Sequence, residues 1–179
     1  LRSVYAVGVD KWEGTPTVDM SRHNEIALAT ARQGIVLLKN EGVLPLAAGG
    51  PVKIAIIGGY ANKGVPTGTG SGAVLPVGGY AGSISIGGPG LMGNARSLYL
   101  LPSSPLAELK KSMPNATIDY DPGYTVAESK LLAKRSDIVI IFGIRVEGEG
   151  FDLADLSLPW GQDNLISEVA STNPHTIEV

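Results

Sequence analysis

The sequence predicts an α/β fold built on a mainly parallel sheet with helices on both faces. Three observations carry that expectation. Val52 to Gly58 and Asp137 to Ile144 are unbroken apolar runs rich in β-branched residues, the composition of strands buried on both faces. From Val52 onward the chain alternates strand, loop, helix, strand, helix, strand, helix, strand, which favours parallel strands joined by helical crossovers. A length of 179 residues with 44% hydrophobic and 17% charged side chains suffices for one sizeable core, or for one domain and a fraction.

Residues 1–20 mix apolar side chains with Gly8, Gly14 and Pro16 and read as a linker from an upstream unit. Ser21 can cap a helix, with Glu25 close to capping-box spacing. Ile26, Leu28, Ala29, Ala31 and Ile35 give that helix a partial stripe, and Gly34 ends it. Ile35 to Lys39 reads as a short strand, Asn40 to Gly42 as a turn, and Val43 to Leu46 as a second short apolar segment. A loop from Ala47 to Pro51 leads into the buried strand Val52 to Gly58, which ends in Gly58-Gly59. Residues 60–93 are rich in Gly, Ser, Thr and Pro and lack periodicity, as functional or poorly ordered excursions do. With few large apolar side chains to offset the entropy of fixing it, this stretch is expected to be mobile or held by another domain.

A helix is predicted from Pro102 to Met113, with Leu106, Leu109 and Met113 on one side. Ala116 to Tyr120 is a strand, Asp121-Pro-Gly123 a turn, and Val126 to Lys134 a helix. Asp137 to Ile144 is the central strand, and Pro159 to Ala170 a helix broken by Asn173-Pro174. His175 to Val179 begins another strand, and no internal repeat is seen. The first residue is not Met, Leu1-Arg-Ser-Val lacks a signal-peptide pattern, and the last residues stop inside an apparent strand. Both ends are expected to be cut from a longer polypeptide.

A net charge of −3 offers no basic footprint for nucleic acid. The chain has no Cys, which excludes disulfides and thiolate metal sites without deciding the compartment. No apolar run approaches the ~18 residues of a membrane span. His23 and His175 sit in different elements and support neither a histidine metal site nor a Ser/His triad. Gly58-Gly-Tyr-Ala-Asn-Lys63 is not a dinucleotide fingerprint, no Gly-Lys-Ser/Thr follows it, and no helix follows at once to receive a phosphate. Asn115-Ala-Thr117 is a glycosylation sequon, meaningful only in a eukaryotic secreted chain.

The chemistry concentrates after the central strand. Arg145-Val-Glu-Gly-Glu-Gly-Phe-Asp152 changes abruptly to glycines and carboxylates, and so reads as a loop leaving the carboxyl end of a strand, where open α/β sheets bind ligands. Glu147, Glu149, Asp152 and Asp155 fall within nine residues, with Arg145 the nearby cation. Clustered carboxylates raise one another's pKa, and an acid that donates a proton near neutral pH needs a raised pKa. An acidic solvated loop is the plainer reading. A Ca²⁺ site is a third, although the spacing is not that of a calcium loop. Gly68-Thr-Gly-Ser-Gly72 is either a flexible excursion or a rim over a polar ligand.

Three stretches together resemble the family 3 glycoside hydrolases, the β-glucosidase and β-xylosidase group. The first runs from Ala29 through Ile35-Val-Leu-Leu-Lys-Asn40 to Leu46. The second is Lys53 to Gly58 with Gly68-Thr-Gly-Ser-Gly-Ala-Val-Leu-Pro76. The third is Val146-Glu-Gly-Glu-Gly-Phe-Asp152 with Leu156-Ser-Leu-Pro159 and Gln162 to Ile166. Nearly the whole chain is covered. The resemblance implies a partial α/β sandwich with flavodoxin-like layering over residues 21–179, preceded at 1–20 by the linker from a missing (β/α)8 barrel. It implies that Glu149 is the general acid/base and that the nucleophile is an Asp on that barrel. Ser71 and Phe151 are expected to contact the substrate, a β-glucoside or oligosaccharide. No metal and no cofactor are expected, and a secreted or periplasmic setting is slightly favoured over the cytoplasm. Members often carry Arg after the Asp of the loop, where this chain has Leu153.

A retaining glycosidase uses two carboxyl groups about 5–5.5 Å apart. Glu147 and Glu149 point to the same side of an extended loop, but neighbours on one loop cannot readily flank opposite faces of a sugar. The chain is thus expected to be a fragment of a retaining β-glycosidase, inactive alone. The competing reading is a non-catalytic, flavodoxin-like binding module.

Overall fold

The computed structural model describes residues 19–47, 49–67, 75–76, 79–85, 97–145, 147 and 153–179. They fall into two units, residues 1–41 and 42–179.

In the first unit, α1 spans Met20–Gly34. Its cap is Asp19, whose Oδ1 accepts the Arg22 N–H at 3.1 Å. Ser21 therefore does not start the helix: a cap residue must be extended to turn its oxygen back on the first turn, and Ser21 is already helical. Ile35–Lys39 is not a strand. No strand among the described residues pairs with it, and an extended segment without a ladder has no sheet. Ile35, Val36, Leu37 and Leu38 are 77%, 74%, 61% and 93% exposed.

The second unit is built on a four-stranded sheet, β1 (Lys53–Gly58), β5 (Thr117–Asp121), β6 (Ile138–Phe142) and β7 (Thr176–Glu178), ordered β5-β1-β6-β7. All three pairings are parallel, as the apolar runs predict. β1 and β6 are interior, and alternate residues of each serve opposite faces. Ala55, Ile57, Val139 and Ile141 pack with Leu132, Ala133, Leu165 and Val169 of α3 (Val126–Lys134) and α4 (Gln162–Thr172). Ile54, Ile56, Ile118 and Ile140 pack on the other face with Leu106, Leu109 and Met113, from or just beyond α2 (Pro105–Ser112). Each such isoleucine, fully withdrawn from water, contributes roughly 1.5–3 kcal/mol.

Two helices begin later than expected. Ser104 Oγ accepts the Ala107 N–H at 3.2 Å with Pro105 in the first turn, so α2 starts where a cap and a proline coincide rather than at Pro102. Pro159–Gly161 forms a 3-10 turn before α4. The larger difference lies in residues 60–93 and just beyond. β2 (Pro66–Thr67) and β3 (Gly82–Ser85) pair antiparallel with β4 (Ser97–Leu100) in a second sheet, ordered β2-β4-β3. Strands of two and four residues are too short to register as periodicity, and long-range pairing makes them visible only in three dimensions. Leu98 and Leu100 are buried beneath this sheet.

Candidate active site

The crossover from β1 runs to β5 on one side, whereas β5 leads back across β1 to β6 and then β7. The direction reverses between β1 and β6, and the crevice at the carboxyl ends of such a strand pair is where α/β sheets bind ligands. On the β1 side stand Gly58, Gly59 and Tyr60. A Cβ on Gly59 would come within 2.3 Å of Phe142 Cβ and 2.7 Å of Phe142 O, at a φ of +56°. The glycine pair thus permits close approach of β6, which accounts for it without any phosphate.

On the β6 side the chain is fixed residue by residue. Gly143 N–H donates to Val179 O at 2.8 Å. Gln162 then treats Ile144 as a neighbouring strand would: its Oε1 accepts the Ile144 N–H and its Nε2 donates to Ile144 O, both at 2.8 Å. The same Nε2 donates to Pro159 O at 2.8 Å. Arg145 follows, with only 23% of its side chain exposed. Its Nη1 donates to Leu156 O at 2.7 Å and Ser157 O at 3.2 Å, and its Nη2 to Asp155 O at 2.6 Å. Its Nε donates to Glu147 Oε1 at 2.8 Å. The guanidinium fork therefore holds Arg145 against the returning chain at 155–157 and takes up the Glu147 carboxylate. Asp155 Oδ1 accepts the Ser157 N–H at 2.8 Å and Asp163 Oδ2 the Leu158 N–H at 3.0 Å, locking the return into α4.

Of the residues singled out from sequence, Arg145, Glu147, Asp155 and Gln162 are brought together here. Glu149, Phe151, Asp152 and Ser71 lie outside the described residues. Glu147 is exposed, and its carboxylate is taken up by Arg145. The fork made by Arg145 was missed from sequence, where it figured only as the cation near four carboxylates. Its buried stem and its carbonyl partners leave no trace in a linear pattern. Trp160, 63% exposed with a φ of 61°, sits in the middle of the 3-10 turn and was likewise passed over.

At the carboxyl end of β5, burial first, then Tyr124, Asp121 and Tyr60 nearby, push the Tyr120 hydroxyl up to about 12. It stays protonated, and able to donate, at any physiological pH. Asp121 Oδ1 accepts both the Gly123 N–H at 2.8 Å and the Ser129 hydroxyl at 2.7 Å, shaping the turn beside Gly58. Among the described residues no cluster of three His, Cys, Asp or Glu could hold a metal ion, and no helix is long and apolar enough to cross a membrane.

Comparison with known proteins gives a consistent picture. The family model described as glycosyl hydrolase family 3 C-terminal domain matches residues 35–179. An exo-α-(1->6)-L-arabinopyranosidase of Bifidobacterium longum is 31% identical over 90% of this chain and 21% of its own length. A thermostable β-glucosidase B of Acetivibrio thermocellus is 29% identical over 90% of this chain and 20% of its own. β-D-xylosidase 3 of Arabidopsis thaliana is 32% identical over 88% and 18%. The chain thus spans about a fifth of the length of these relatives. Among solved structures, a β-D-glucoside glucohydrolase of Trichoderma reesei superposes with a TM-score of 0.67 at 20% identity, over 97% of this chain and 26% of that one. That likeness is one of fold.

Proposed function

The chain belongs to family 3 of the glycosyl hydrolases, whose C-terminal domain it carries, and from that premise we propose that it supplies the general acid/base to a retaining β-glycosidase. The substrates are terminal β-D-glucosyl or xylosyl residues of glycosides and oligosaccharides. Glu149 protonates the departing glycosidic oxygen while an Asp on a (β/α)8 barrel, outside this chain, attacks the sugar and forms a covalent glycosyl-enzyme. Glu149, now a carboxylate, then takes a proton from the water that releases the sugar. Ser71 and Phe151 line the sugar. Residues 1–20 join the barrel to the domain at 21–179.

One conjunction carries this reading. Gly148-Glu-Gly-Phe-Asp152 resembles the family's acid/base loop, and the residues on either side of it are tied to each other by Arg145 and to α4 by Gln162. An acid must be held to within a fraction of an ångström of its reacting atom, and an anchored loop base favours that. The similarity to glucosidases, xylosidases and an arabinopyranosidase supports glycoside hydrolysis and leaves several sugars open.

The test uses the full-length enzyme. Glu149→Ala should slow hydrolysis of a disaccharide by ~10²–10⁴-fold, the usual worth of general acid catalysis. A dinitrophenyl glycoside, whose leaving group needs no proton, should still form the intermediate, and azide should then restore turnover. Glu147→Ala should show neither behaviour. Azide rescue of Glu147→Ala instead would move the assignment by two residues, and rescue of neither would remove the acid from this loop. The 179-residue chain alone should not turn over an aryl β-glucoside above a Glu149→Gln control.

A further inference from the structure

β6 loses both neighbouring strands before the loop begins. Its register with β1 ends where Gly58 faces Phe142. Its register with β7 ends where Ile141 faces Glu178, with one further bond from the Gly143 N–H to Val179 O. Ile144 lies beyond both ladders, yet it is half-buried, and a peptide group out of water needs both a donor and an acceptor. Gln162 supplies the pair, Oε1 accepting the Ile144 N–H and Nε2 donating to Ile144 O, each at 2.8 Å. Among neutral side chains only a carboxamide offers both functions on one planar group, as a neighbouring peptide does. A carboxylate there would accept from the N–H but set its charge against two carbonyl oxygens, those of Ile144 and Pro159. Pro159 O accepts both the Nε2 and the main-chain N–H of Gln162, so the side chain is braced on the turn before its own helix. Gln162 is the first residue of α4, which is seated in the core by Leu165 and Val169. The direction of the chain at Ile144 is thereby referred to a rigid element.

We infer that Gln162 is a positioning residue for the proton donor, an inference that rests on the acid/base reading of Glu149. Glu149 follows Ile144 by five residues, and a change of direction at Ile144 displaces whatever follows it. Arg145 holds the chain where it returns, at 155–157; Gln162 sets the heading with which it leaves the sheet. Transfer of a proton depends on placement to a fraction of an ångström, so loss of this heading falls on the step that needs the proton and spares a leaving group that needs none.

The test compares kcat/KM of the full-length enzyme for a disaccharide and for a dinitrophenyl glycoside of the same sugar. Gln162→Met keeps the volume and removes the bonds. It should slow the disaccharide about 10²-fold, the effect of misplacing a catalytic group by about 1 Å, and the dinitrophenyl glycoside by less than about threefold. Gln162→Glu should match it at pH 7. As pH falls toward about 4 the new carboxyl takes up a proton and can donate as well as accept, so the ratio of the two substrates should return toward the parent's at the same pH, whereas that of Gln162→Met should not. Val169→Ala, which opens a cavity under the same helix, should leave the ratio at the parent's value. Equal losses on both substrates in Gln162→Met, no loss on either, or a Gln162→Glu ratio indifferent to pH would each overturn the inference. Glu149→Ala separates the two readings. Leaving-group dependence in Glu149→Ala but not in Gln162→Met would sink the positioning role alone. Dependence in Gln162→Met but not in Glu149→Ala would move the acid to another residue and leave Gln162 in its role.

Discussion

At the scale of single residues, Arg145 does the work that fixes the candidate site. A guanidinium donating to three carbonyls makes charge-assisted bonds roughly twice as strong as neutral ones, whereas its pairing with the exposed Glu147 contributes little. Arg145→Ala in the full-length enzyme should therefore release the loop and lower kcat/KM by ~10²-fold, the effect of misplacing a catalytic group by about 1 Å. Arg145→Lys should recover only part of this, since an ammonium cannot span the same carbonyls. Limited proteolysis within 146–156 should accelerate in both, the alanine variant more, and Glu147→Ala should leave the cleavage rate near the parent's. Unchanged proteolysis and kinetics in Arg145→Ala would refute the clamp. The acidic loop itself was plain in the sequence because residue type changes abruptly at Arg145. The clamp was not, since carbonyls are identical at every position and only the fold selects three of them.

At the scale of elements, β5 offers a test through Tyr120. Its folded-state pKa lies above the ordinary value of 10.0, at about 12, so between those values the folded chain holds a proton that the unfolded chain has lost. Stability is thus fully present below pH 10 and falls as pH rises toward 12. The ring is half-buried, so solvent screening reduces the loss to roughly 1 kcal/mol. Urea midpoints followed from pH 9 to 11.5 should decline more in the parent than in Tyr120→Phe, and equal slopes would show that burial here does not oppose ionisation. The parallel strands were legible because β1 and β6, buried on both faces, must be continuously apolar. Ile35–Lys39 was misread for the same reason: Ile-Val-Leu-Leu has a strand's composition, but composition supplies no hydrogen-bonding partner. The second sheet was illegible because Ser83-Ile-Ser85 and Ser97-Leu-Tyr-Leu100 alternate over too few residues to stand out among glycines.

At the scale of the whole molecule, the two sheets of residues 42–179 should differ in durability. β1 and β6 are buried between helices on both faces, whereas β3 is largely exposed. Native-state hydrogen exchange should show the amides of β1 and β6 opening only with global unfolding, and those of β3 and β4 opening at a free energy lower by a few kcal/mol. Equal protection in both sheets would contradict this hierarchy. The fold class followed from the order of elements, and the order β5-β1-β6-β7 then put the candidate loop at the reversal point of the sheet. The grip of Arg145 has a consequence for how such a domain can diversify. Because three of its four acceptors are main-chain oxygens at 155–157, the clamp is blind to the side chain at 156, whereas Asp155 also holds the Ser157 N–H. Leu156, 92% exposed, can be exchanged for residues of other size or polarity without loosening the loop base, so a library randomised there would vary what the loop presents while keeping its frame.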